Sequence, residues 1–195
     1  MQKFEAKKFN IPTLKGISEK NIEEHLKLYE GYVKHTNLIL DEVASRDAEK
    51  DGYAISEMQR RFAFEFDGMR NHEIYFSSFE GGAKEISEGD LKNKISETWG
   101  SFENWLAIFK TLAKTRGIGW AILYYDKNSD QLLNAWIDEQ HLGHLNGCTP
   151  ILALDMWEHS FVSDYFPSGK ATYIEDFFAN LNWEVIENNF NNCKR

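Results

Sequence analysis

Residues 151–159 read Ile-Leu-Ala-Leu-Asp-Met-Trp-Glu-His, an apolar run that stops on an aspartate and presents a histidine four residues later. A short apolar run of this kind is typical of a buried strand. The carboxylate of Asp155 and the imidazole of His159 are spaced so that both can reach one cation. The stretch therefore predicts a strand that ends at a metal site, and the remaining ligands must come from elsewhere in a chain with six histidines.

The composition indicates a globular protein and disfavours several partners. The chain has 195 residues, of which 42% are hydrophobic, and its net charge of −9 argues against nucleic-acid binding. No run approaches the roughly 20 apolar residues of a membrane helix, and the first residues lack the layout of a secretory signal. We therefore expect a cytoplasmic protein without membrane contact, in which Cys148 and Cys193 are free thiols.

Helical spacing of apolar residues predicts two long helices in the first half of the chain. The first covers about residues 18–45, with Ser18 as its N-cap, and the second covers about residues 55–79. We expect them to pair as an antiparallel hairpin. A charged segment with several glycines follows at 80–89, so we predict an N-terminal domain over 1–85 and a C-terminal domain over 86–195.

In the second half of the chain the spacing of the apolar residues changes. Asp90 and Ser101 are predicted to cap two helices, after which 119–125 and 132–137 predict a β-hairpin and 151–154 a third strand. Helices are expected again over 172–180 and 183–190. The predicted fold class is therefore α+β, with an N-terminal antiparallel helical hairpin followed by a mixed α/β domain that holds a three-stranded antiparallel sheet.

Two further histidines fall on the apolar faces of the predicted hairpin. His25 lies on that face of the first helix, and His72 lies on that of the second. A single histidine there is usually a hydrogen-bonded core residue, but two of them beside Asp155 and His159 favour a shared ion. Such ligands suit iron, manganese, copper or zinc. The carboxylate disfavours copper(I) and the lack of thiolates disfavours structural zinc. A di-iron site is disfavoured too, because no glutamate stands three residues before His25, His72 or His159, so a mononuclear redox metal is the better fit.

At this point the chain resembles the iron/manganese superoxide dismutase family, over nearly its whole length. Landmarks of the family occur in the right order at residues 71–72, 100–103, 119–120, 155–159 and 181–184. The resemblance implies that one iron or manganese ion per subunit is held by His25, His72, Asp155 and His159. It also implies that superoxide is the substrate, and that redox cycling of the metal gives dioxygen and hydrogen peroxide.

The resemblance further implies a hydrogen-bonding group for the solvent molecule on the metal. Family members often supply a glutamine, either four residues before the second histidine ligand or from the hairpin region of the C-terminal domain. The first position is Gly68 here, which has no side chain. We predict that His141 supplies the hydrogen bond from the second position, with Gln140 and His144 as alternatives.

The entrance to the site departs from the family pattern. The family places a histidine four residues after the first ligand and a tyrosine eight after it, whereas this chain has Tyr29 at four and Tyr32 at seven. Seven residues return a side chain to the same face of a regular helix. We therefore predict an unbulged first helix with Tyr32 as a catalytic residue near the metal. Alternatively, Tyr29 is the entrance group, or both tyrosines are core aromatics.

The expected subunit contact is altered as well. Val162 stands where the family has a tyrosine that crosses the dimer interface, while Glu158, which in the family bridges to a ligand histidine of the neighbouring subunit, is kept. We therefore expect a homodimer through the Glu158 region, with Trp120 and Trp157 as walls of the metal cavity. The family's arginine-proline pair is absent, so anion guidance lacks its usual residue.

From the sequence, more than one metal and more than one function are possible. Ala153 stands where the family commonly has glycine with manganese or threonine with iron, so iron, manganese or activity with both are open. A non-haem oxygenase or peroxidase on the same scaffold would need a pocket larger than a diatomic anion. A non-catalytic metal-binding protein would show stability that depends on metal without turnover.

Overall fold

The computed structural model describes residues 2–194. Met1 and Arg195, the outer ends of the two predicted domains, lie outside the described residues. Within that range no helix combines the length and apolar character needed to cross a bilayer. The helices are α1 (Glu19–Ser45), α2 (Gly52–Ser77), α3 (Asp90–Trp99), α4 (Phe102–Ala113), α5 (Lys170–Asn180) and α6 (Trp183–Cys193), and the strands are β1 (Gly119–Asp126), β2 (Gln131–Asp138) and β3 (Cys148–Asp155).

The predicted hairpin of two long helices is confirmed. The Ser18 hydroxyl caps α1 by accepting a hydrogen bond from the backbone N–H of Asn21 at 3.1 Å. Buried side chains of α1 recur every three or four residues, as at His25, Tyr29 and Val33, and this face packs against α2. The helix is regular from end to end, so it contains no bulge.

The start of α3 differs from the prediction. Asp90 lies in the first turn and Gly89 is the N-cap, so the prediction that Asp90 caps this helix is wrong. A long-range contact takes the place of the predicted cap. The carboxylate of Glu187 on α6 accepts a hydrogen bond from the free backbone N–H of Leu91 at 3.2 Å. Ser101 does cap α4, as predicted, by accepting from the N–H of Asn104 at 3.1 Å.

The three strands form one antiparallel sheet in the order β2-β1-β3, which confirms the predicted sheet. The register pairs Trp120 at the start of β1 with Asp155 at the end of β3. Helix α2 packs against β3, whose residues 151–155 are all buried. The end of the buried strand therefore lies beside both α2 and the first aromatic residue of β1.

Candidate metal centre

Four side chains from four parts of the chain converge at the end of β3. His25 comes from α1, His72 from α2, Asp155 from β3, and His159 from the 3-10 turn Glu158–Ser160 that follows β3. The Nε2 atoms of His25 and His159 each lie 3.1 Å from Oδ2 of Asp155, and Nε2 of His72 lies 3.6 Å from it. One potential ligand atom from each residue lies within 4.8 Å of the others. The structure thus brings together the four residues predicted as ligands.

The tautomer and burial of His72 fit a metal ion. Its Nδ1–H donates to the backbone carbonyl of Gly68 at 2.6 Å, which leaves the lone pair of Nε2 directed at the cluster. This Nε2 atom is buried and has no hydrogen-bond partner. A buried polar atom without a partner costs about 1–3 kcal/mol. A cation between the imidazoles and the Asp155 carboxylate would satisfy it.

The pKa shifts of His25, His72 and Asp155 favour the protonation states that bind metal. Burial, together with the charge of His25, lowers the pKa of His72 to about 3. Burial also lowers the pKa of His25. Burial alone would raise the pKa of Asp155, but the charge of His159 and hydrogen bonds from His159 and His25 outweigh it and hold this pKa below its usual value. Neutral imidazoles and an ionised carboxylate are the ligand forms.

Hydrogen bonds from residues that are not ligands fix the orientation of Asp155. The backbone N–H of Trp157 donates to its Oδ1 at 2.8 Å, which leaves Oδ2 for the cluster. The Asp155 carbonyl accepts from the hydroxyls of Tyr173 at 3.0 Å and Ser160 at 3.1 Å. Such outer contacts are the usual means of holding a metal ligand in one orientation.

Trp120 and Trp157, the predicted cavity walls, lie against ligand rings. The ring of Trp120 meets the ring of His72 nearly at right angles, with centroids 5.0 Å apart. Trp157 stacks on His159 with centroids 5.8 Å apart. Two packed indoles beside the ligand rings reduce the access of bulk water to the cluster.

A further pair of hydrogen bonds beside the cluster involves Gln140, one of the alternatives to His141. The side chain of Gln140 is fully buried. Its Oε1 accepts from Nε1 of Trp120 at 2.9 Å, and its Nε2 donates to the hydroxyl of Tyr32 at 3.0 Å. This amide therefore joins a wall of the cavity to the entrance tyrosine.

His141 makes no hydrogen bond to the residues of that network. Its ring packs edge-on against Phe64 with centroids 5.7 Å apart, and its buried Nδ1 has no hydrogen-bond partner. The physical reason is the loop, which is closed by paired backbone hydrogen bonds between Asp138 and Leu142, with Glu139 in the left-handed region at a φ of 53°. Adjacent side chains leave so tight a loop in different directions. The hydrogen bond predicted from His141 to the metal-bound solvent stays a prediction, and Gln140, one of its alternatives, is the residue whose side chain contacts Tyr32 and Trp120.

Tyr32 lies beside the cluster, at 5.1 Å between its ring and that of His72. Burial raises the pKa of the Tyr32 hydroxyl, with the charge of Asp155 acting in the same direction. The ring packs directly on Gly68, where an added Cβ would come within 2.6 Å of a Tyr32 ring carbon. A side chain at position 68 would thus require Tyr32 to move, and in this chain the buried amide beside Tyr32 is that of Gln140 in the C-terminal half.

Tyr29 points elsewhere. It is fully buried between Phe9 and Phe76, and its hydroxyl accepts from the backbone N–H of Lys7 at 2.8 Å and faces Glu73 at 3.4 Å. These contacts fit a core aromatic at Tyr29, whereas Tyr32, the other tyrosine of that alternative, lies beside the ring of His72. Two residues predicted for the subunit contact, Glu158 and Val162, are exposed.

Sequence reasoning gave no role to Asn71 or Tyr124. The Asn71 side-chain amide donates to the backbone carbonyl of Gln140 at 3.0 Å, and the Tyr124 hydroxyl contacts Nδ1 of His144 at 2.6 Å. For Asn71 a signal existed, since it precedes His72 in a matched landmark. For Tyr124 there was none, because it is one aromatic residue in a largely apolar strand.

Comparison with known proteins agrees with this geometry. Residues 87–189 match the model of the C-terminal domain of iron/manganese superoxide dismutases. The chain is 35% identical to a superoxide dismutase [Fe] of Cupriavidus metallidurans, over 91% of this chain and 90% of that protein. It is 33% identical to a superoxide dismutase [Mn] of Mycolicibacterium fortuitum, over 85% of this chain and 80% of that protein. With this coverage, and with three histidines and one aspartate gathered at a buried strand end, the chain belongs to the iron/manganese superoxide dismutase family.

Proposed function

We propose that this protein is a superoxide dismutase that uses one iron or manganese ion, held by His25, His72, Asp155 and His159. The observation that carries the proposal is the buried, unpartnered Nε2 of His72, which faces a carboxylate and two further imidazoles. The ion supplies the one-electron redox chemistry. Two superoxide anions and two protons give dioxygen and hydrogen peroxide, so the protein must admit small anions and deliver protons.

The residues around the cluster suit these two tasks. The Tyr32 hydroxyl keeps its proton, because burial raises its pKa, and it accepts a hydrogen bond from Gln140. We assign the delivery of protons to this Tyr32–Gln140 pair. Trp120 and Trp157 limit the entry of water, so the protons pass through a defined set of hydrogen bonds.

The proposed site suits both iron and manganese. Three imidazoles and a carboxylate accommodate iron and manganese alike, and the relatives above carry one or the other in their names. Ala153 is buried two residues before Asp155 and offers no hydrogen-bonding group that would separate them. We therefore propose activity with either ion.

A second copy of the chain is proposed to pack against the segment that follows the cluster. Glu158 is exposed beside His159, whose side chain is 24% exposed, and the same segment exposes Val162 and Phe166. A two-fold contact here would let the carboxylate of Glu158 approach a ligand histidine of the neighbouring subunit. Apolar contact at Val162 would take the place of the tyrosine bond found elsewhere in the family.

Separate loading with each metal tests the proposed function. Metal-free protein is reconstituted with iron or with manganese, and the loss of superoxide is measured against bound metal. We expect a rate proportional to metal content for at least one ion. Metal binding that stabilises the protein without turnover would instead support a structural metal protein, and turnover of a larger organic substrate alone would support an oxygenase or peroxidase.

The approach of superoxide to this acidic protein calls for a local positive charge, and Arg61 is in position to supply it. Its guanidinium carbon lies 3.6 Å above the centre of the Phe64 ring, and Phe64 packs on Tyr32 and Trp157. Arg61 pairs with Glu65 at 2.8 Å, but its side chain is 51% exposed and that of Glu65 only 8%. The positive partner is therefore the one that faces solvent.

Replacing Arg61 by glutamine is expected to lower kcat/KM several-fold at low ionic strength and to weaken its dependence on salt, because a guiding charge acts through a field that salt screens. Metal content and kcat should stay unchanged. Arg60→Gln is the matched control, since Arg60 is its neighbour on α2, is 72% exposed and gives the same change in net charge. Equal salt dependence in the two variants would rule out a guiding role for Arg61.

A further inference from the structure

Gln140 is held in its loop by two side chains that are not among the predicted metal ligands. Its backbone carbonyl accepts two hydrogen bonds, from the side-chain amide of Asn71 at 3.0 Å and from Nε2 of His144 at 3.2 Å. The preceding residue, Glu139, is in the left-handed region, which is unfavourable for a residue with a side chain. A loop in this conformation needs contacts that hold it, and these two act on the residue that carries the buried amide.

The tautomer of His144 follows from its partners. A carbonyl only accepts, so a hydrogen bond from His144 to Gln140 requires the proton on Nε2. The Asn71 amide, whose nitrogen lies 3.4 Å from this Nε2, then donates to the Gln140 carbonyl alone. In the neutral ring Nδ1 is then an acceptor, and the Tyr124 hydroxyl donates to it at 2.6 Å. Tyr124 lies on β1, in the middle of the sheet, where it is buried. The hydrogen bonds therefore run from a fixed strand, through His144, to the main chain of Gln140.

We propose that His144 is a positioning residue, which anchors the main chain of Gln140 to Tyr124 so that the Gln140 amide stays between Trp120 and Tyr32. His144 does not itself reach the cluster. Its role is to fix a buried amide whose two ends contact a cavity wall and the entrance tyrosine. This inference rests on the proposed function, because it concerns the residue that we assign to proton delivery.

Loss of the contact between His144 and Gln140 should affect the reaction but not the binding of the metal. If the loop shifts, the Gln140 amide loses its geometry to Tyr32 and Trp120 while the four ligand side chains keep theirs. The metal should therefore stay bound, whereas its reduction potential and the rate of proton-coupled turnover should change. Outer contacts of this kind typically alter activity 10–100-fold when removed.

The test uses the metal-loaded protein and four variants. His144→Ala is expected to lower kcat about tenfold, with KM and metal content close to wild type, and to shift the reduction potential of the bound metal. Tyr124→Phe should shift both in the same direction by less. His144→Gln should restore them in large part, since its amide can donate to the same carbonyl. His35→Ala is the control for removal of an imidazole, because His35 lies on α1, its side chain is 55% exposed and its contact is with Glu65 rather than with Gln140 or Tyr124.

Two results would overturn the proposal. One is an unchanged kcat and potential in His144→Ala. The other is a loss of metal or of thermal stability that accounts for the lower activity, with no rescue by His144→Gln. If wild-type protein is inactive with both metals, the proposed function fails, but the potentials of the four variants still decide whether His144 positions Gln140.

Discussion

Asparagine in place of Asp155 is expected to reduce bound metal to below about a tenth of the wild-type content and to lower superoxide dismutation at least a hundredfold, more than the loss typical of an outer contact. The substitution keeps the size of the side chain and removes its charge. Asp155 supplies the negative charge among three imidazoles, and it is fully buried. Without it a trivalent cation would enter a buried site with neutral ligands, which is strongly unfavourable.

The same substitution at an exposed aspartate provides the control. Asp41 lies on α1, its side chain is 58% exposed and it pairs with Lys3, so Asp41→Asn should keep full metal content and activity. Metal is measured by elemental analysis and activity by superoxide loss, after circular dichroism has shown that both variants are folded. Full metal content in Asp155→Asn would remove Asp155 from the ligand set.

The ligands and the fold could be predicted from sequence because their signals are local. Helical spacing places His25 and His72 on the apolar faces of two helices, and the apolar run before Asp155 predicts a buried strand end. Once the hairpin and the strand pack together, those three residues have one place to meet. The sequence of residues 155–159 adds the fourth within a single turn.

The outer residues could not be predicted in the same way, because long-range contacts decide them. Whether Gln140 or His141 faces Tyr32 depends on how residues 138–142 close their loop and on Asn71, which is far away in sequence. The cap of α3 depends on Glu187 at the other end of the domain. Composition and spacing along the chain carry no information about either contact.

Removal of the metal is expected to lower the melting temperature by about 10 °C. A ligand present at about a thousand times its dissociation constant adds about 4 kcal/mol to stability, and a domain of this size gains about 2–4 °C for each kcal/mol. The ion would link α1, α2, β3 and the turn after it, since each contributes one ligand. Calorimetry of metal-loaded and metal-free protein measures the difference, and Asp155→Asn should show none. Equal melting temperatures for the two wild-type forms would contradict a metal shared by these elements.

The metal-free protein should in addition lose stability as the pH falls below about 6.5, the ordinary pKa of a histidine. The folded state lowers the pKa of His72 to about 3 and also lowers that of His25, whereas both titrate normally after unfolding. Below pH 6.5 the unfolded chain therefore binds more protons than the folded chain. The stability that the two neutral imidazoles contribute is complete above pH 6.5 and declines towards pH 3. The lowered pKa of Asp155 extends the same trend at still lower pH.

Urea midpoints at pH 7.5 and 5 measure this loss of stability, which should be smaller in His72→Gln and unchanged in His35→Ala. A midpoint that does not depend on pH would mean that the imidazoles are not held neutral by burial, and the unpartnered Nε2 of His72 would lose its significance as the ligand atom.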